Sequence, residues 1–106
     1  MRKKRDRSHS ELSALARSLG ISTIDVTQGE SVGFDEIWAV HGRTCTVEIK
    51  SAAKSKLTKI ERNHAEDWLG WHVCVHAGWQ VGLVCDALLA GHPPFFSERK
   101  RWPGWS

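Results

Sequence analysis

The chain has 106 residues, 41% hydrophobic and 25% charged, enough for one domain around a modest core and too few for two independent domains. No stretch approaches the roughly 20 apolar residues of a membrane span, and no apolar segment follows the basic N-terminus as in a signal peptide, so a cytoplasmic protein without a membrane partner is expected. The net charge of +3 is concentrated at Arg2, Lys3, Lys4, Arg5 and Arg7, at Lys50, Lys54, Lys56 and Lys59, and at Arg99, Lys100 and Arg101, a clustering that attracts phosphate polymers or simply solvates the ends.

Ser8 and Glu11 have capping-box spacing. Leu12, Leu15, Ala16 and Leu19 then recur at helical intervals up to Gly20, which predicts an amphipathic helix of about three turns. Ile21 to Val26 reads as a short strand, and Thr27 to Gly33 as a loop. Phe34 to Val40 alternates, with Phe34, Trp38 and Val40 on one face and Asp35, Ile37 and Ala39 on the other. After a turn at His41-Gly42, Thr44 to Lys50 alternates again, opposing Cys45, Val47 and Ile49 to Thr46, Glu48 and Lys50, so the two runs form a β-hairpin. A polar linker, Ser51 to Lys56, precedes a second helix, in which Thr58 and Glu61 repeat the capping-box spacing and Leu57, Ile60, His64, Ala65 and Trp68 form a stripe ending at Gly70. Trp71 to His76 is a further strand. Val81, Val84, Cys85 and Leu88 suggest a short final helix, with a strand from Trp79 to Val84 as the alternative. The order is α-β-β-β-α-β-α in a single domain over residues 1–106, with a basic N-terminal segment 1–7 and an irregular basic and aromatic tail 93–106.

If His41 and Gly42 are the two central residues of the turn, paired residue numbers on the hairpin add to 83, and Asp35 lies opposite Glu48. Opposed residues share a face, with Cβ atoms about 4.5–5.5 Å apart, and Lys50, two residues beyond Glu48, projects from that face too. Like charges so placed repel by roughly 0.2–1 kcal/mol. A divalent cation between the carboxylates removes the repulsion, and hard oxygen donors favour Mg²⁺ or Mn²⁺ over zinc. The lysine beside them suits a scissile phosphate or its attacking water. The competing reading is a Glu and Lys pair on a solvated face.

Gly33-Phe34-Asp35 followed by Val47-Glu48-Ile49-Lys50 resembles the D…E-x-K signature of the PD-(D/E)XK nuclease superfamily. The preceding helix and the pattern Leu57-Thr58-x-x-Glu61, His64, Trp68, Gly70 look most like its small VRR-NUC and Holliday-junction-resolvase-like members, including phage ones, over residues 6 to 76. The resemblance implies an α/β (α+β) core with a mixed central sheet flanked by helices. It implies Asp35 and Glu48 as ligands of Mg²⁺ or Mn²⁺, the Ile49 backbone carbonyl as a further ligand, Lys50 as the catalytic lysine, and hydrolysis of DNA, with branched DNA and a homodimer as the preferred substrate and assembly. A catalytically silent DNA- or protein-binding module with the same fold is the rival. Phe34 stands where the motif usually has proline, and Glu61 where such nucleases often carry glutamine.

Glu11 is a candidate extra metal ligand or a helix cap, and Glu61 a catalytic-site residue, a cap, or both. Lys54, Lys56, Lys59, Arg2, Lys3, Lys4, Arg5 and the turn residue His41 are candidate DNA contacts. His72, Cys74 and His76 share a strand face but span about 13 Å, too far to close on one ion, and are read as packing. Cys45, Cys74 and Cys85, odd in number and without C-x-x-C spacing, are expected to be reduced and buried. Trp38 and Trp68 are expected in the core. Trp71, Trp79, Trp102 and Trp105 are candidates for an oligomer surface or for stacking on unpaired bases.

Overall fold

The structure is a computed structural model that describes residues 7–52 and 55–94. The elements are α1 (Arg7–Ser18), β1 (Ser22–Asp25), β2 (Glu36–Val40), β3 (Arg43–Ile49), α2 (Lys59–Asp67), β4 (His72–Val75) and α3 (Gly78–Ala90). This is the expected order, and Gly78–Ala90 is the helix rather than the strand alternative. The fold is α+β, with a four-stranded open sheet of order β1-β2-β3-β4, antiparallel except between β3 and β4. No helix among the described residues is long and apolar enough to cross a membrane. The basic segment before Arg7, Lys54 and the tail from Phe95 onward lie outside the described residues.

Turn chemistry sets the hairpin. His41 and Gly42 both take positive φ, 51° and 82°, as a two-residue turn whose twist matches its flanking strands requires. Val40 therefore pairs with Arg43, Trp38 with Cys45 and Glu36 with Val47, all on the expected sum. Residues 36, 38, 40, 45, 47 and 49 then face one side of the sheet, where Trp38, Val40, Cys45, Val47 and Ile49 pack with Val73 and Val75 against Leu12 and Ala16 of α1 and Val81, Val84 and Leu88 of α3. The alternate residues of β3 and β4 face α2 across the other side, because Thr46 reaches His64 and Lys50 reaches Glu61.

Helix ends follow from few residues. At the end of α1, Ile21 N–H donates to the Ala16 carbonyl and Gly20 N–H to that of Arg17, both at 3.1 Å, with Gly20 at φ 91°. This is a Schellman end that aims the chain into β1. Ser8 lies within the Arg7–Ser18 helix, and the predicted Ser8–Glu11 capping box falls on a side chain outside those described. The Thr58–Glu61 box of α2 does form, with Thr58 Oγ1 accepting from Glu61 N–H at 3.2 Å and Glu61 Oε1 from Thr58 N–H at 2.9 Å. At α3 the Gln80 side chain accepts from the backbone of His76 and Ala77. Arg43 donates to the carbonyls of Leu88 and Leu89 at the other end.

One polar group interrupts the core face. Glu36, 1% exposed, accepts hydrogen bonds from His9 Nε2 at 2.9 Å, Ser13 Oγ at 3.1 Å and Trp38 Nε1 at 2.8 Å. Burial pushes its pKa up, but these donors outweigh burial and hold the carboxyl below the usual range. The carboxylate is thereby the polar link between α1 and β2. Replacing Glu36 with Ala strands His9 and Ser13 in the interior. It is expected to lower the unfolding free energy by about 3–5 kcal/mol, read from urea denaturation at unchanged m-value.

Candidate active site at the end of the hairpin

Asp35, Glu48, Lys50 and Glu61 come together where β2 begins and β3 ends. Asp35 precedes β2, and its backbone continues the pairing through a 2.8 Å bond to the Val47 carbonyl. Its Oδ2 accepts the Ile49 N–H at 2.8 Å, so this carboxylate is clamped to the neighbouring strand. Ile49 thus meets Asp35 through its N–H. Glu48, 1% exposed, sits between Asp35, Lys50 and Glu61. Lys50 Nζ lies 2.8 Å from Glu61 Oε1 and 3.4 Å from Glu48 Oε2.

The electrostatics are asymmetric. Burial, then the charges of Asp35 and Glu61, push the Glu48 pKa up to about 9, against the opposing pull of Lys50. Burial favours the neutral amine of Lys50, but the hydrogen bond it donates to Glu61 and the charge of Glu48 outweigh it, so the ammonium is held more firmly than usual. Glu61 is lowered, burial notwithstanding, by Lys50 and the Thr58 N–H. Neither side-chain oxygen of Glu48 accepts a hydrogen bond among the described residues. A buried acceptor in that condition costs about 1–3 kcal/mol, and hard, unsatisfied oxygens beside a second clamped carboxylate suit a divalent cation.

Glu61 serves both of its expected roles, as Oε1 closes the capping box and receives Lys50. Glu11 is exposed. The α1 residue that meets sheet carboxylates is instead His9, which with Asp25 and Glu36 forms a group whose donor atoms all lie within 4.8 Å of one another. There Asp25 Oδ1 accepts from the Thr27 N–H and hydroxyl, and Glu36 is hydrogen-bonded as described above. Sequence reading passed over this group because its members are distant in the chain; a carboxylate at Glu36, in register with Trp38 and Val40, was the available signal. Lys56, Lys59 and His41 are exposed, whereas Lys54, Arg2, Lys3, Lys4 and Arg5 lie outside the described residues.

A second polar unit supports the wall of the site. Thr46 Oγ1, two residues before Glu48, lies 2.9 Å from His64 Nε2 and 2.6 Å from His72 Nδ1. A hydroxyl has one proton, so one ring accepts from it and the other donates to it. Burial, then His64, lowers the His72 pKa to about 3, and burial lowers His64. Next to Asp35, a Cβ on Gly33 would stand 2.7 Å from His64 Cβ, and the residue has φ 97°, so only glycine lets α2 close onto the Asp35 loop. His72 is buried in this role and Cys74 and His76 are half-buried, in keeping with packing. Cys45 and Cys85 are buried and Cys74 half-buried, and burial pushes the Cys45 thiol up to about 12.

Trp38 is fully buried, but Trp68 is 48% exposed and Ile60 51% exposed, contrary to the expected core stripe. The capping box and the Lys50 contact turn Glu61 and Ala65, not Ile60 and Trp68, toward the sheet. Trp71 is half-buried against the core and Trp79 is exposed. No protein-family model matches the chain, and no curated protein and no solved structure matches it.

Two measurements probe these assignments. His72 binds its proton more weakly when folded than when unfolded, so its contribution is intact above pH 6.5 and is lost as pH falls toward 3, by at most about 1.4 kcal/mol per pH unit. The unfolding free energy of wild type relative to His72→Asn, an isostere at Nδ1, should decline on acidification over that window. Glu48 has the opposite sign: its raised pKa means that stability is lost as pH rises from about 4.5 to about 9. Without added metal, Glu48→Gln should therefore melt higher than wild type at pH 9, by about 4–8 °C for each kcal/mol recovered, with the gain vanishing near pH 5.

Proposed function

We propose that this chain is a metal-dependent endonuclease that hydrolyses DNA phosphodiester bonds on a PD-(D/E)XK core, with Asp35, Glu48 and Lys50 as its active residues. The observation that carries the reading is the buried Glu48 carboxyl group, neither oxygen of which accepts a hydrogen bond among the described residues, flanked by clamped Asp35 and by Lys50. Asp35 and Glu48 would hold Mg²⁺ or Mn²⁺, with the Ile49 carbonyl as a further ligand. Such an ion supplies charge to a phosphoryl oxygen and a water of lowered pKa.

The protein's own groups do the rest. Glu61 anchors the Lys50 ammonium, which keeps a full positive charge beside the carboxylates and is suited to the negative charge that grows on a phosphate under attack. Ile49 N–H fixes the Asp35 carboxylate in one orientation. The clustered cations suit a polyanionic substrate. A domain this small offers little surface to duplex DNA, which favours a homodimer acting on branched DNA.

Incubation of labelled four-way junction, linear duplex and single strand with Mn²⁺, Mg²⁺ or EDTA tests the proposal. Cleavage is expected with either metal, none in EDTA, and a loss of about 10²-fold or more for Lys50→Ala. If no substrate is cut, or if Lys50→Ala cuts as well as wild type, the enzyme reading fails and a silent binding module remains. In Mn²⁺-soaked crystals, density is expected at Asp35 and Glu48; density only at His9, Asp25 and Glu36 would overturn the metal placement.

A further inference from the structure

Beside the carboxylates runs a column of rings that the chemistry above leaves unused. Phe34, next to Asp35, packs on His64 with centroids 4.7 Å apart, and His64 stacks on Trp68 at 5.2 Å and 25°. The column starts at the metal-ligand loop and ends at the surface. Its outer part is a groove of about 340 Å³ lined by Val32, Ile60, Asn63, His64, Asp67 and Trp68. The indole edge of Trp68 lies over Gly70, where an added Cβ would stand 2.7 Å from Nε1. Half-exposed Trp68, Ile60 and Val32, with fully exposed Leu69 next to Trp68 in the chain, leave an apolar patch in water.

We infer that this groove receives an unpaired nucleobase of the DNA held at the carboxylate site, stacked on the Trp68 ring, so that the substrate is DNA with an unpaired nucleotide near the cut. The inference rests on the nucleic-acid part of the proposed function. Three features select a base over other occupants. The groove neighbours the carboxylate site, since His64 of its lining packs on Phe34, the residue before Asp35. Its volume of about 340 Å³ falls in the range of single-ligand pockets, room for one planar base. Around the flat aromatic surface, Asn63 offers an amide and Asp67 an acceptor carboxylate to the amino edge of a base, and exposed Lys59, one helical turn before Asn63, offers a cation to the backbone. Planar stacking on a ring with cationic flanks is how sequence-tolerant single-strand sites bind.

The experiment is DNA binding in EDTA, where no cleavage intervenes. The probes are a single strand and a duplex with one unpaired 2-aminopurine, beside a fully paired duplex. Wild type is expected to quench the 2-aminopurine and to bind both unpaired probes more tightly than the paired one. Trp68→Ala should lose the quenching and between about 5-fold and 150-fold in affinity for the unpaired probes, with affinity for paired duplex unchanged; Trp68→Phe should keep most of both. Because Trp68 also ends α2, Val32→Asp, in the groove lining but outside the helix, serves as a second variant, and it should show the same selective loss. Equal binding of the unpaired probes by wild type and both disrupted variants overturns the inference. So does a dimer that Trp68→Ala dissociates without loss of DNA binding, which would make a second copy the occupant. If the base stacks but Mn²⁺ never yields cleavage, the groove assignment stands and the nuclease reading falls. If Mn²⁺ gives cleavage that Trp68→Ala and Val32→Asp leave unchanged on every substrate, the nuclease reading stands and the groove assignment falls.

Discussion

Pairing between β2 and β3 is the constraint on which the rest of the molecule depends, and it is imposed by two residues. With His41 and Gly42 both at positive φ, the turn admits one register, and in a sheet a slip by one residue would exchange the two faces. Trp38, Cys45 and Val47 would leave the core, and Glu48 and Thr46 would be driven into it. The apolar face and the polar site are thus two sides of one choice. Each stabilises the other's placement: burial of Trp38 against α1 and α3 holds Glu48 in its uncomfortable position.

The sheet carries two buried polar clusters of opposite character. On the α1 side, Glu36 has donors on both oxygens, and its burial is offset within the protein. Across the sheet, Glu48 is buried without a hydrogen-bond donor among the described residues, and Asp35 and Glu61 add repulsion that Lys50 only partly relieves. The protein therefore stores electrostatic tension at one place and resolves it at the other. Carboxyl groups perturbed by burial and by neighbouring like charges cluster at functional sites.

Much of this was legible in the chain. Alternation and turn chemistry specify the element order, the hairpin and its pairing, because those signals are local. Thr58 and Glu61 announce the start of α2 for the same reason. The rotation of α2 was legible only in part: of the stripe Leu57, Ile60, His64, Ala65 and Trp68, His64 and Ala65 turn to the sheet, while the contacts of Glu61 and His64 with Lys50 and Thr46, made across 11 and 18 residues, leave Ile60 and Trp68 facing outward. Nor could spacing reveal that His9 meets Glu36 across 27 residues, or that Thr46 would be shared by two imidazoles. Local chemistry is written in short patterns, whereas the facing of a helix is decided by partners that only the folded sheet supplies.

Glu61 joins two matters that are separate in most proteins. One of its oxygens both ends the unsatisfied backbone at the start of α2 and orients the Lys50 ammonium. Fraying of that first turn and release of the lysine are consequently one event, so the local opening equilibrium of a surface helix sets how much of the time the site is assembled. A glutamine at this position would preserve the cap while weakening its hold on the cation, which separates the mechanical function of the side chain from its electrical one.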